Sequence, residues 1–407
     1  MNISDRLSER LSEGHIQAVS AVNNAASSIG SRAFLVGGAI RDIILGREIK
    51  DIDIAVECCP QKLLSTSHME SAKVISTSQF ETVKAEICGQ IIDLSMTRSE
   101  RYPNPGALPE VQLSTIEGDL SRRDFTINAF GVHVDPDRWG DLIDHHNGLQ
   151  DLCHKKIRVL HNQSFMDDPT RVFRAARYAS RLSFEVEMTT KEALVRDLDG
   201  IRNLSGTRIL NELNQIFGET NSGRALENLN KWGAFKVIHP QFDIPTMVFN
   251  TIENSISEEV SSDVVGLLAL LYCSNNVIRE EIGKRLRLSS SLHSKVSDLD
   301  RFQELLPGMK NSDIYEKLRG LSLESLHVAR SMSSSANSGL SAQIDLYLND
   351  LSQISMSVTG NDLLDMGIPE GAEMGRILSS IHKELLDGQV PSREEQVKLA
   401  RKIFLGG

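Results

Sequence analysis

Cysteine is scarce in this 407-residue chain: five residues, at 58, 59, 88, 153 and 273, with no C-x-x-C pair. An odd total without metal-ligand spacing indicates neither a zinc cage nor a disulfide framework, and predicts buried thiols. Long apolar runs are missing too. No stretch reaches the roughly 20 residues that cross a bilayer, and the N-terminus, MNISDRLSERLSEGH, alternates charges where a secretory leader carries a basic cap and an apolar core. The expected location is the cytoplasm. Nor is there a positive excess. A formal net charge of −11 argues against a protein that coats nucleic acid indiscriminately, while leaving room for a local basic groove. The G-x-x-x-x-G-K-[ST] phosphate loop, the G-x-S-x-G elbow and H-E-x-x-H are all absent. His145 and His146, beside Asp144, read as a loop feature rather than a metal site, because neighbours on a strand point to opposite faces.

The length and a hydrophobic content of 40% allow roughly two to four structural units with buried cores. From about residue 30 to 145, β-branched runs (Phe34-Leu35-Val36, Ile52-Asp53-Ile54, Ile91-Ile92-Asp93-Leu94) alternate with helix-like stretches such as Ile40 to Leu45, which predicts an α/β unit. Beyond about 165, apolar residues recur at helical spacing, as at Val172, Ala175, Ala176, Ala179 and Leu182, then Ile209, Leu210, Leu213, Ile216 and Phe217. The remainder is therefore expected to be almost entirely helical, and the whole chain α+β. Ser331 to Gly339 is Ser-rich and predicts a flexible connection with a boundary nearby.

Asp51 and Asp53 follow Gly37-Gly38-Ala39-Ile40-Arg41-Asp42. A strand projects i and i+2 from one face, so the two carboxylates point the same way, and such a pair of hard oxygen donors suits two Mg²⁺ ions. The Gly-Gly turn lets backbone approach a phosphate without obstruction, and Arg41, one short turn on, is placed to clamp a triphosphate. The bland alternative is a solvated strand end beside an ordinary turn. D-x-D alone does not separate the two; the ordered string through Leu45-Gly46 does. Asp93, within an apolar strand, is costly to bury without a charge partner or a metal. It is either a third carboxylate facing the pair or an edge-strand acid pointing to water.

Arg122-Arg123-Asp124-Phe125-Thr126-Ile127-Asn128 offers a guanidinium for phosphate or ribose with an acid and an amide to fix it, unless it is a surface helix start. Asp167-Asp168-Pro169-Thr170-Arg171 carries a helix-start signal. Arg171, Arg174, Arg177 and Arg181 then share one stripe, opposite Val172, Ala175, Ala176 and Ala179. No acid at i+4 balances them, and like charges at that spacing repel, so an anion is expected: a triphosphate near Arg171 and an RNA backbone beyond it. The competing reading is a solvated charged face. Asp168 with Arg171 presents acceptor and donor together and can hydrogen-bond a base edge as a complementary base would; the alternative is an N-cap with an i+3 salt bridge.

In chain order, GGAIRDIILGREIKDIDIAVE, RRDFTINAF, DDPTRVFRAARYASRLSF and LSGTRILNEL resemble the motifs of the class II tRNA nucleotidyltransferase and bacterial poly(A) polymerase family, over residues 30–217. Thr359-Gly360-Asn361-Asp362-Leu363-Leu364, Met366-Gly367-Ile368-Pro369 and Leu386-Asp387-Gly388 are similar to the C-terminal segment of CCA-adding enzymes; residues 220–345 match only in helical character. The resemblance implies a nucleotidyltransferase head at 1–150, a helical neck at 151–220, a body at 221–345 and a tail at 346–407, the helical part holding the acceptor arm and 3′ end of tRNA. It implies Asp51 and Asp53 as Mg²⁺ ligands and Gly38 and Arg41 at the incoming nucleotide, with Gly37 in the same turn; Asp93, from its place in the strand, is the candidate third catalytic acid. Arg123, Asp168, Arg171, Arg174 and Arg177 would contact ATP or CTP, with Asp124 near the ribose. Four positions depart from the usual pattern: Asp167 and Thr207 stand where Glu is common, Glu81 where Gly is, and Gly371-Ala372-Glu373 replaces Gly-Pro-Glu.

The implied reaction is template-independent addition of C, C and A to the 3′ end of tRNA, with release of pyrophosphate. A-adding and CC-adding specialists share every motif, and the segment Met96 to Thr115 is similar to that of A-adding relatives. Poly(A) polymerase is disfavoured by the acidic composition, which lacks an extended basic region for unstructured RNA. From other classes, a non-catalytic tRNA-binding protein with a relict head and a metal-dependent phosphohydrolase remain alternatives. No protein partner is inferred.

Overall fold

In a computed structural model, the described residues are 1–49, 51–78, 82–104, 106–255, 260–334 and 339–405. Glu81, Pro105 and residues 335–338 of the Ser-rich segment therefore lie outside the description. The chain divides into two compact units, Met1–Glu212 with Lys231–Val237, and Leu213–Asn230 with Ile238–Gly407. The first carries the sheet and the second is helical, so the expected α+β class holds.

The strands before residue 150 are β1 (Ala33–Val36), β2 (Ile52–Val56), β3 (Lys73–Thr77), β4 (Val83–Ile87), β5 (Gln90–Met96), β6 (Arg98–Arg101), β7 (Glu110–Leu113), β8 (Gly131–His133) and β9 (Leu142–Ile143); Lys156–Ile157 and Glu185–Val186 form a further short parallel pair. Seven of them form one sheet in the order β3-β4-β5-β2-β1-β8-β9, while β6 and β7 pair as a separate hairpin. Every pairing in the large sheet is antiparallel except β2 with β5. Period-two alternation sorts the residues: Ile52, Ile54, Val83, Ala85, Ile92 and Leu94 are buried, whereas Asp53, Lys84 and Asp93 between them stay partly open on the other face.

Helix α1 (Glu13–Ser28) starts at Ser12, whose side chain accepts from His15 N. It buries Ala18, Val19, Val22, Ala25 and Ala26 and packs on the sheet at β1 and β5. Gly37 ends β1 with φ +79° and opens α2 (Gly38–Ile44), a left-handed conformation that favours glycine. The Arg-bearing helix α3 (Thr170–Leu182) ends at Ser183 in the left-handed region, and α4 (Gly206–Phe217) follows further on.

In the second unit, α5 (Ser262–Tyr272) buries a continuous run from Val265 to Leu271 and packs against α6 (Leu323–Ser334). The helix α6 runs into the Ser-rich segment, because Val328, Ala329 and Met332 are buried and their packing overrides the weak propensity of serine. Further on, α7 (Ala372–Leu386) and α8 (Arg393–Phe404) close a core of Leu363, Ile368, Ile377, Ile381 and Ala400. The expectation of buried thiols needs correction. All five cysteines are free, only Cys58 is buried, and Cys88, Cys153 and Cys273 are exposed, since each falls at a turn or helix end rather than on a core-facing position. Among the described residues no helix is long and apolar enough to cross a membrane.

Gly266 on α5 leaves no space for a side chain: a Cβ there would lie 2.3 Å from Cδ1 of the buried Phe217 ring. Helix propensity favours alanine by about 1 kcal/mol, but overpacking a core costs about 1–3 kcal/mol. Gly266→Ala should therefore lower the urea midpoint; an unchanged or higher midpoint would show that the ring yields freely.

Candidate active site

Strand register brings the acids together. Asp53 on β2 is the direct register partner of Asp93 on β5, so both residues project from the same face. Asp51 sits two positions before Asp53, exposed at the strand's entry. Burial pushes the Asp53 carboxyl up to about 6, with Asp93 and Asp51 adding to the rise and Arg123 and Lys84 opposing it. Charging Asp53 is thus costly beside two other acids in a partly desolvated setting, a cost that a bound cation relieves. Of the two readings of Asp93, the geometry is that of an acid on an interior strand facing the pair, since β4 covers its other edge.

The glycine turn approaches this centre from β1. A Cβ on Gly37 would lie 2.9 Å from Arg123 Nη1 and 3.4 Å from Asp53 Oδ2, so the missing side chain is what lets guanidinium and carboxylate converge there. Arg123 is held in turn by the buried Asp119, whose Oδ2 accepts from Nη2 at 2.9 Å. Asp119 also accepts from Arg122 Nε and Nη2, at 3.0 and 2.7 Å. Burial alone would raise the Asp119 pKa; Arg123 and Arg122 instead hold it below the usual range.

Arg41 lies beneath this turn rather than above it. It is 2% exposed; Nε and Nη2 donate to Asp42 at 3.0 and 2.8 Å, and Nη1 donates to Asn128 Oδ1 at 2.6 Å. Asn128 Nδ2 donates at 3.0 Å to Asp124 Oδ1, and Asp124 Oδ2 accepts from Arg174 Nε at 2.8 Å. A continuous chain of charge-assisted bonds therefore runs Arg174, Asp124, Asn128, Arg41, Asp42, with Arg181 reaching Asp42 at 3.7 Å. Burial pushes Asp124 up, yet Arg174 and Asn128 hold it down to about 2.

That chain corrects one step of the sequence argument. The acids that balance the arginine stripe exist, but they come from Asp124 and Asp42, far away in sequence, instead of from i+4 on the helix. Arg171 is also buried: Nη1 donates to Ser164 Oγ at 2.6 Å and Nη2 to the Arg122 carbonyl at 2.7 Å. The guanidiniums of Arg41, Arg174 and Arg177 all lie over the Tyr178 ring, 5.3, 5.6 and 5.3 Å from its centroid. Asp168 takes Arg208 as its ion-pair partner, at 2.9 Å, and accepts from Thr170 N and Oγ1. Arg208 Nη1 also donates to the Gly106 carbonyl at 2.8 Å, so this arginine joins Asp168 to the loop between β6 and β7.

Sequence reading missed four residues here. Lys84 faces Asp93 across β4 and β5, Nζ 3.5 Å from Oδ2; only strand register reveals it. Asp119 and Arg208 were visible as charges, without any signal of their partners. Glu212, one turn beyond Arg208, has its pKa raised by burial against the pull of Arg174 and Arg177. His145 and His146 fall in a turn that Asp144 fixes by accepting from Gly148 N and Leu149 N.

Comparison with known proteins matches two families along the chain: residues 33–158 with the poly A polymerase head domain, and residues 183–244 with the probable RNA and SrmB-binding site of polymerase A. An A-adding tRNA nucleotidyltransferase of Geobacter sulfurreducens is 33% identical over 91% of this chain, which spans 45% of that protein. One of Halalkalibacterium halodurans is 28% identical, covering 99% of this chain and 96% of its own. Among solved structures, the Thermotoga maritima CCA-adding enzyme complexed with tRNA-CCA superposes with a TM-score of 0.80 at 25% identity, over 99% of both chains.

The raised Asp53 pKa has a stability consequence. Between the ordinary value of 3.8 and about 6, the folded state keeps a proton that the unfolded state releases, so stability falls as pH rises through that window. Asp53→Asn removes the effect. In EDTA at pH 7.5 the variant should be more stable than the parent by up to about 3 kcal/mol, with the gain gone near pH 4; equal stability at pH 7.5 would mean that Asp53 titrates normally.

Proposed function

The chain belongs to the tRNA nucleotidyltransferase and poly(A) polymerase family, and from that premise we propose that it adds C, C and A to the 3′ end of tRNA, without a template, from CTP and ATP in the cytoplasm. The observation that carries the proposal is Asp53 set beside Asp93 in parallel register, with the Gly37 turn and Arg123 closing on the same carboxylate.

In this reading the 3′ hydroxyl of the RNA attacks the α-phosphorus; a new phosphodiester forms, the α–β phosphoanhydride breaks, and pyrophosphate leaves with the electron pair. The donor set fits a hard divalent cation, Mg²⁺ in this proposal. It is all oxygen, and Asp51 and Asp93 both add to the cost of charging Asp53. Among the described residues no three His, Cys, Asp or Glu side chains form a ready cage, which suits an ion that takes one or two carboxylates together with substrate phosphates. Asp51 and Asp53 would hold the metal, in a two-metal arrangement, and it would stabilise charge on the attacking and leaving oxygens.

The protein's own groups do the rest. Gly37 and Gly38 leave backbone open to the phosphates, and Arg123 offers a guanidinium to them. Asp168, Arg171, Arg174 and Arg177 contact ATP or CTP, and Asp168 with Arg171 selects the base, Asp168 through the carboxylate oxygen that Arg208 and Thr170 leave available. Arg41 and Asp124 act from below, fixing the turn and Arg174 relative to each other. The helical second unit takes the tRNA.

A second reading, addition of the terminal A alone, is favoured by the two A-adding relatives described above. Transcripts ending at the discriminator base, at CC and at CCA, each incubated with CTP, ATP or both and then sequenced, separate these readings. The CCA reading predicts three nucleotides on the first transcript and one on the second; A-addition on the CC transcript alone identifies the specialist. Asp51→Ala or Asp53→Ala should abolish incorporation while folding and tRNA binding persist. Incorporation into none of the transcripts by the parent protein would point to a tRNA-binding protein without catalysis.

A further inference from the structure

Lys84 extends the acidic row by one strand. It lies directly across β4 and β5 from Asp93, as Asp93 lies across from Asp53, which sets Lys84 two strand spacings, about 10 Å, from Asp53. Its Nζ is 3.5 Å from Asp93 Oδ2 and its side chain is 38% exposed. An ion pair so long and so open is readily exchanged for a stronger one. Beyond it the face stays accessible: Ile91 is 48% exposed, and the neighbouring strand β3 is exposed along its length.

The two flanks of the row differ in kind. On the β1 side, Gly37 and Arg123 crowd Asp53 with a Cβ-free turn and a guanidinium, which is where a triphosphate is drawn. Displacement at the α-phosphorus is in line, so the entering oxygen comes from the side opposite the leaving pyrophosphate. With pyrophosphate towards β1, the RNA end arrives over β5 and β4. Lys84 is the cation that meets it there.

We propose that Lys84 binds the last phosphodiester of the RNA primer, leaving Asp93 to do so, and thereby sets the terminal 3′ hydroxyl beside Asp93. Each charge exchanges one partner for another: the ammonium trades a carboxylate for a phosphate, and the freed carboxylate accepts a hydrogen bond from the hydroxyl. Lys84 is thus a primer-positioning residue, distinct from the groups that hold the nucleotide. This inference rests on the transferase reading given above.

The test compares the parent with Lys84→Ala, Lys84→Gln and Lys84→Arg as full-length proteins. Binding of a tRNA transcript ending in CC is measured in EDTA across a salt series, and KM for transcript and for ATP is measured with Mg²⁺. Loss of one single-strand phosphate contact should make the slope of log K against log salt shallower by about 0.7 for the Ala and Gln variants. The transcript KM should rise several-fold with the ATP KM unchanged, and Lys84→Arg should restore both. An unchanged slope in variants that fold and incorporate, or a rise confined to the ATP KM, overturns the role of Lys84 and leaves the transferase reading standing. A parent protein that binds transcript but incorporates nothing overturns both.

Discussion

Everything at this site depends on the one parallel pairing in an otherwise antiparallel sheet. Had β5 joined β2 one residue out of register, Asp93 would turn into the core and Ile92 or Leu94 would take its place beside Asp53. The apolar side of the same strands, Ile52, Ile54, Ile92 and Leu94, resists that slip, because each is fully or almost fully buried. Hydrophobic packing on one face therefore fixes the spacing of charges on the other. Asp53 is held beside Asp93 at the expense of its own solvation, and the fold rather than any attraction between the two acids keeps it there.

A second constraint ties helix α3 to the glycine turn inside the first unit. Helix α3 is anchored through Arg174 to Asp124 and through Arg181 to Asp42, and Asn128 and Arg41 link those two anchors beneath the glycine turn. Paired buried charges of this kind are neutral to modest as net stabilisers, but leaving one partner alone is costly. Their value is positional. A shift of α3 that moves Arg174 also moves Asp124, and with it the support of the Gly37 turn.

The sequence was most readable where local rules suffice. Strands at Phe34–Val36, Ile52–Ile54 and Ile91–Leu94, the helix after Asp168-Pro169, and the helical second half follow from period and caps, and the structure carries them all. Gly37 was legible as a place where backbone runs without a side chain, and the structure adds a φ of +79° and close approach to Arg123 and Asp53. What remained hidden were partners across distance. The arginine stripe looked unbalanced because i+4 neighbours were the only acids a helix pattern can inspect, while its true counter-charges lie about 50 and 140 positions upstream. Lys84 and the Asp53–Asp93 pairing likewise require strand register, which alternation restricts but does not choose. Cysteine burial failed for a simpler reason: composition describes how thiols usually pack, and three of these five sit at turns or helix ends.

The central claim is that Asp51 and Asp53 grip a divalent cation against the phosphates of a bound nucleotide. A crystal grown with Mn²⁺ and a nonhydrolysable ATP analogue tests it in one measurement, the position of the anomalous peak. The account predicts manganese bonded to oxygens of Asp51 and Asp53 and to the triphosphate, on the Gly37 and Arg123 side of the row. Nucleotide bound there with both carboxylates turned away from any ion would contradict it.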